Sequence, residues 1–364
     1  MRKFLKLLPF LFAAAAVLSS CSDDDDNDLN PGELAKGAYI LNYGGYSENT
    51  SSISRYDYET GDLTAFYYQQ QNGGKKIGSA PQWIYEYDNL LYLMNNNPDR
   101  VIVTDLLFAA QDTITTDVAA PRNCVGYGDY LYISCWGNNP DYSGGMPDAY
   151  ILKYNVITKL VEEKIPLAGG PEGLAIANGR LYAALNYRKA IAVMDLSTEA
   201  FSYINTDAVS GYFLKDKSGN LYVTQVSTYS DASTATGLGY INTQTDEMTL
   251  FPLENVSTSY ASVFAFSKDY SKIYIVASVY DATWNPVGGV RVFDVADKQF
   301  ETNPLVSNLT GINGVSVNPA DGKIYVFIAK GNTANGDMMI FSPEETEETT
   351  RTVGASPAMA VFLD

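Results

Sequence analysis

Histidine is absent from all 364 residues. Zinc, copper and non-haem iron sites lean on imidazole, and serine and cysteine hydrolases usually take it as their base. Acid–base work near neutral pH would fall to carboxylates, Lys or Tyr. Cysteine is scarce, at Cys21, Cys124 and Cys135. Cations are outnumbered, 24 Lys and Arg against 42 Asp and Glu, for a net charge of −18. That balance argues against nucleic acid or an anionic membrane surface as partner, since both require clustered Lys and Arg. No Gly-rich phosphate loop follows a strand and opens a helix, and no stretch shows sustained helical periodicity. Past the N-terminal leader no run is apolar enough to span a bilayer. These gaps describe a binding module, not an enzyme, and no catalytic cofactor is expected.

What is present is a repeat. From Gly170 to Thr198 three short apolar runs are separated by turn residues, with the hairpin signal Asn178-Gly179 between the first two. A second-strand Tyr recurs at Tyr39, Tyr92, Tyr132, Tyr182, Tyr222, Tyr274 and Tyr325. The end of the third strand recurs separately at Asp57, Asp105, Asn155, Asp195, Asn242, Asp294 and Ser342. Both landmarks give seven copies spaced by roughly 40 to 50 residues, the period of four-stranded propeller blades. First strands are expected at Trp83–Tyr87, Asn123–Tyr127, Gly173–Ala177, Gly211–Lys215, Ala261–Phe266 and Asn313–Asn318. The copy at Tyr39 lacks one in front of it, whereas Ala358–Leu363 is left over at the far end. The expected fold is all-β: a seven-bladed β-propeller of four-stranded antiparallel blades over residues 37–364, closed by the C-terminal strand joining the first blade.

Arg2, Lys3 and Lys6 flank an apolar run from Phe4 to Val17, which has the layout of a secretion signal covering residues 1–20. Leu18-Ser19-Ser20-Cys21 resembles a bacterial lipobox, with Cys21 as the lipidated N-terminus of the mature chain. Residues 21–36 carry an acidic block and read as a solvated tether. Serine and acids directly after the lipid-bearing Cys resemble an export signal to the outer face of the outer membrane. Cys124 and Cys135 flank the hairpin at Gly128-Asp129, so they either bridge across it or stay as buried thiols.

Loops entering the first strands and loops joining second to third strands share one propeller face. They hold the candidate ligand-binding residues Trp83, Arg122, Trp136, Asn138, Glu172, Tyr187, Arg188, Tyr260, Tyr280, Trp284 and Asn313. Aromatic rings beside amide side chains suit a large, flat, uncharged ligand rich in hydrogen-bonding groups, and the few basic groups suit a single phosphate or carboxylate. Turns on the opposite face are short and plain.

Gly37-Ala38-Tyr39-Ile40-Leu41-Asn42-Tyr43-Gly44 directly after the tether, followed by Gly-x-Leu-Tyr-type repeats, resembles the YncE-like surface lipoprotein propellers, and most of all the vitamin B12-binding BtuG family. The chain departs from many relatives at Tyr43, where they carry an acid. The resemblance implies capture of cobalamin at the cell surface and its transfer to a TonB-dependent outer-membrane transporter of the BtuB type. With no His to replace the lower cobalt ligand, it implies base-on binding through the periphery of the corrin. Two rivals stand beside it: a glycan-binding or adhesive propeller, and a lactonase-like hydrolase in which Arg122 and Glu172 imitate two of three catalytic parts.

Overall fold

The computed structural model describes residues 36–228, 235–256, 263–283 and 285–363. The expected signal peptide (1–20), the lipidation site Cys21 and the tether up to residue 35 lie outside the described residues.

The described residues form seven antiparallel sheets, the blades of a β-propeller. Blade 4 shows the plan, with strands Pro171–Ala177, Arg180–Leu185, Ala190–Asp195 and Phe201–Asn205 hydrogen-bonded in that order. Asn178 and Gly179 both have positive φ, 50° and 70°, as the tight hairpin between the first two strands demands. Blades 2, 3, 5, 6 and 7 start at Ser79, Pro121, Val209, Phe264 and Ile312. Blade 6 departs from the plan at its outer edge, where Gln299–Phe300 and Val306–Thr310 both pair with the third strand, Pro286–Asp294. A helix of five residues, α1 (Tyr67–Gln71), lies between blades 1 and 2 and is too short to show a period in the sequence. It buries Tyr67 and Tyr68, with the Tyr67 ring edge-on to Tyr39 at 5.3 Å.

The ring closes as expected. Pro357–Leu363 is the innermost strand of blade 1 and pairs antiparallel with Gly37–Asn42, Tyr39 facing Val361. The paired edge leaves no open ladder at the join.

Both repeat landmarks have a physical cause. The recurrent Tyr residues are all buried, between blades, where a large ring fills the wedge that widens away from the axis. The recurrent acids cap turns. Asp57 Oδ1 accepts from the amides of Glu59 and Thr60, Asn155 Oδ1 from Ile157 and Thr158, and Asp105 Oδ1 from Leu107 and Ala109. Ser342 Oγ does the same for Glu344 and Thr346. A short acceptor two to four residues before the amides it binds locks the turn from third to fourth strand, so the position keeps Asp, Asn or Ser.

Asp195 takes this furthest. Its Oδ1 accepts from the Ser197 hydroxyl (2.6 Å), the Ser197 amide (2.9 Å), the Thr198 amide (2.9 Å) and the Thr198 hydroxyl (3.2 Å). These bonds, led by the Ser197 hydroxyl, hold its carboxyl down to about 2. A depressed native pKa stabilises the fold above the unfolded value of about 4, and the contribution is lost as pH falls through about 2. Asp195→Ala is therefore expected to lower Tm at pH 7 and to lower it less at pH 2, read by thermal melts at both pH values. An equal loss at both would show that the charge is irrelevant to the turn.

Cys124 and Cys135 are free and buried. The hairpin register sets Cys124 against Ile133 and Cys135 against Pro121, so the two residues are not opposed. Burial pushes both thiols up, Cys135 to about 12.

Candidate ligand site at the loop face of the channel

The innermost strands begin one to four residues earlier than the alternation predicts in blades 2, 3, 4, 5 and 7, because each is bulged. Their register slips between Pro81 and Trp83, Pro121 and Cys124, Pro171 and Leu174, Ser210 and Phe213, and Ile312 and Gly314. A bulge leaves its extra residues out of the ladder and re-aims their side chains. The residues freed this way are Gln82, Arg122, Asn123, Glu172, Tyr212 and Asn313, and all but Gln82 bond to a neighbouring blade. Gly173 sits in the blade 4 bulge because a Cβ there would meet Gly211 O at 2.7 Å and Tyr212 Cα at 2.8 Å.

Arg122 and Glu172 form a two-pronged ion pair, Nε to Oε2 at 3.0 Å and Nη2 to Oε1 at 2.7 Å. Their side chains are 11% and 3% exposed. The Tyr212 hydroxyl donates to Glu172 Oε1 at 2.9 Å. Burial pulls the Arg122 guanidinium down, but the Glu172 charge and hydrogen bonds outweigh it, and the net direction is up. Burial, then the Glu172 charge, drives the Tyr212 phenol well up. Arg122 thus stays charged and Tyr212 neutral. With its amide turned so that nitrogen donates to Pro121 O at 2.7 Å, Asn96 accepts from Arg122 Nη1 at 3.3 Å.

Above this pair stands an aromatic wall. The Arg122 guanidinium lies 4.1 Å from the Trp136 ring centre. The Trp136 indole donates to Pro171 O at 3.1 Å, which fixes its plane. Tyr187 meets it edge-on at 5.4 Å, and Tyr142 at 6.3 Å. Together with Tyr43, Tyr46, Asn138 and Tyr280 these groups enclose a cavity of about 380 Å³. Asp99 also borders it, its carboxyl raised by partial burial.

The structure brings Arg122, Trp136, Asn138, Tyr187 and Tyr280 to this one cavity. Glu172 stands behind Arg122 as its counter-ion. Arg188 turns outward and packs its guanidinium 4.1 Å from the Tyr203 ring on the outer strand of blade 4. Asn313 is buried and donates to Pro357 O at 2.8 Å, tying blade 7 to the closing strand. Trp83 lines a cavity at the opposite mouth, since the bulge at Gln82 sends Gln82 to the loop face and Trp83 the other way. Tyr260 and Trp284 lie outside the described residues. Tyr212 and Asp99 were not among the sequence candidates. The signal for Tyr212 was its place in the same bulge as Glu172 one blade earlier, which only the strand register reveals.

The molecule is a seven-bladed β-propeller with a cavity of mixed aromatic and polar lining at one mouth of its channel. It belongs to the family described as a domain of unknown function (DUF5074), whose model matches residues 36–363. No curated protein matches the chain. Among solved structures it is similar to a quinonprotein alcohol dehydrogenase-like protein of Bacteroides thetaiotaomicron, with a TM-score of 0.66 and 16% identity over 90% of this chain and 78% of that one. It is also similar to a Bacteroides fragilis protein assigned as a 6-phosphogluconolactonase, at 0.62 and 13% over 94% and 100%. The dihydro-heme d1 dehydrogenase NirN gives 0.56 and 10% over 92% and 76%. At these identities the likeness is one of fold.

Proposed function

We propose that this chain is a surface lipoprotein of the outer membrane that captures a nutrient at the loop-face cavity, with cobalamin as the cargo, and passes it to a TonB-dependent transporter of the BtuB type. The observation that carries the reading is the Trp136–Tyr187–Tyr142 wall standing over a neutralised Arg122–Glu172 pair. Aromatic faces give contact area with little loss of side-chain freedom, and a paired Arg donates hydrogen bonds without demanding a charged ligand. A corrinoid is larger than the cavity of about 380 Å³, so one edge with its amides would enter. The remainder would rest on the exposed rings of Tyr46 and Tyr142. No bond is made or broken, and capture ends in transfer. The lower base of the cobalt stays bound, since the chain has no imidazole to replace it.

The test is direct: protein mixed with cobalamin and passed over a desalting column retains the colour, and loss of all colour overturns the cargo. A spectrum with the lower base displaced would contradict peripheral binding. Trp136→Ala removes the wall and the surface on which Arg122 lies, and is expected to weaken binding by about 2 kcal/mol, roughly thirtyfold. Calorimetry reads it, and an unchanged affinity would move the site elsewhere. Rings beside amides serve sugars equally well, so retention of a glycan in place of cobalamin would favour the adhesive reading.

A further inference from the structure

We propose that the opposite mouth of the channel is a second ligand site, shaped for a free amphiphile with an aromatic or aliphatic body and one anionic head. It is independent of what the loop face takes. The Trp83 and Tyr212 rings stack at 5.2 Å and 12° and roof a cavity of about 360 Å³. Phe213, Phe266, Met359 and Phe362 supply its walls. A neighbouring cavity of about 640 Å³ shares Phe213 and Lys215 with it and extends the funnel towards blade 4. The short hairpin turns on this face leave the funnel open to solvent.

Charge selects the occupant. Lys215 and Lys268 border the first cavity, and Lys215 and Lys217 the second. Their ammonium groups donate to backbone carbonyls, Lys215 to Ile176 at 3.2 Å, Lys217 to Asp269 at 3.2 Å, and Lys268 to Ala320. None of the three is ion-paired with a carboxylate among the described residues. The nearest acids in sequence are held by their own turns: Asp216 by the amides of Ser218 and Asn220, Asp269 by that of Ser271. The residues that line the first cavity include Lys215 and Lys268 and no carboxylate, so its apolar walls carry two exposed cations at the rim. An apolar body seated under the Trp83–Tyr212 roof would place its anionic head among them.

The test uses two fluorescent probes of similar body, 8-anilinonaphthalene-1-sulfonate, which is anionic, and N-phenyl-1-naphthylamine, which is neutral. The anionic probe is expected to bind at a single saturable site and to be displaced by dodecanoate. The double variant Lys215→Glu with Lys268→Glu is expected to weaken the anionic probe at least tenfold and to leave the neutral one within twofold. Tyr142→Ala, on the exposed rim of the other mouth, is expected to change neither. Both lysines are exposed, so the variants should melt like the parent; if they do not, Lys215→Gln with Lys268→Gln should still weaken the anionic probe about fivefold. No saturable binding, equal loss of both probes, or indifference to charge reversal would overturn the proposal. Loss in Tyr142→Ala would do so too, by moving the probe to the loop face.

Discussion

Glu172→Ala is expected to lower the unfolding free energy by about 3 to 5 kcal/mol, because it leaves the Arg122 charge buried without its counter-ion. Arg122 is 11% exposed and both of its hydrogen bonds to Glu172 would vanish. The Tyr212 hydroxyl loses its acceptor as well, and the stacked Trp83 ring loses a fixed neighbour. The pair need not stabilise the fold on balance, since desolvating two ions offsets most of their attraction. Replacing both, as Arg122→Met with Glu172→Leu, should therefore recover most of the loss. Equilibrium urea unfolding of the parent, both single variants and the double variant measures it. A single-variant loss below about 1 kcal/mol, or a double variant worse than the sum of the singles, would refute this account of the buried pair. If the pair is kept for binding, the double variant should be stable yet bind poorly.

Ending the chain at Ser356 is expected to abolish cooperative folding. The deletion strips the partner strand from Gly37–Asn42, all of whose residues are buried in the intact ring. It also removes Ala358, Met359 and Leu363 from the core they share with Tyr39 and Leu41. Asn313 loses the Pro357 carbonyl it holds, and Ser316 Oγ loses the Ala360 amide, so blade 7 comes loose from blade 1 as well. The inner edge of Gly37–Asn42 is then left open, and an unpaired edge recruits other chains. The expected loss exceeds about 5 kcal/mol, comparable with the whole stability of a domain. Size-exclusion chromatography should show oligomers or aggregate, and thermal melts should lose their single transition. A monomer melting within a few degrees of the parent would mean that the clasp is dispensable.

The period of the chain set the blade number, and local chemistry is why it could. Tyr182 fills an inter-blade wedge and Asp195 locks a turn, and each does so through neighbours close in sequence or one blade away. Such roles repeat with every module and leave a mark at a fixed spacing. The leftover strand at Ala358–Leu363 likewise announced closure, since one module lacked what the far end had to spare. Bulges left no such mark. An extra residue in Pro121–Cys124 or Pro171–Leu174 breaks the alternation that pattern reading relies on, so the first strands appeared shorter than they are.

The same bulges decided the site. Arg122 and Glu172 stood out as loop charges from different blades, 50 positions apart, but only the ring brings one against the other and turns Glu172 from a ligand group into a counter-ion. Trp83 and Gln82 are adjacent in the chain and lie at opposite mouths of the channel, because one residue out of register reverses where a side chain points. Repetition is a property of neighbours and is written along the chain. A cavity on the axis is assembled from one or two residues of several blades, and their direction exists only once the ring has closed.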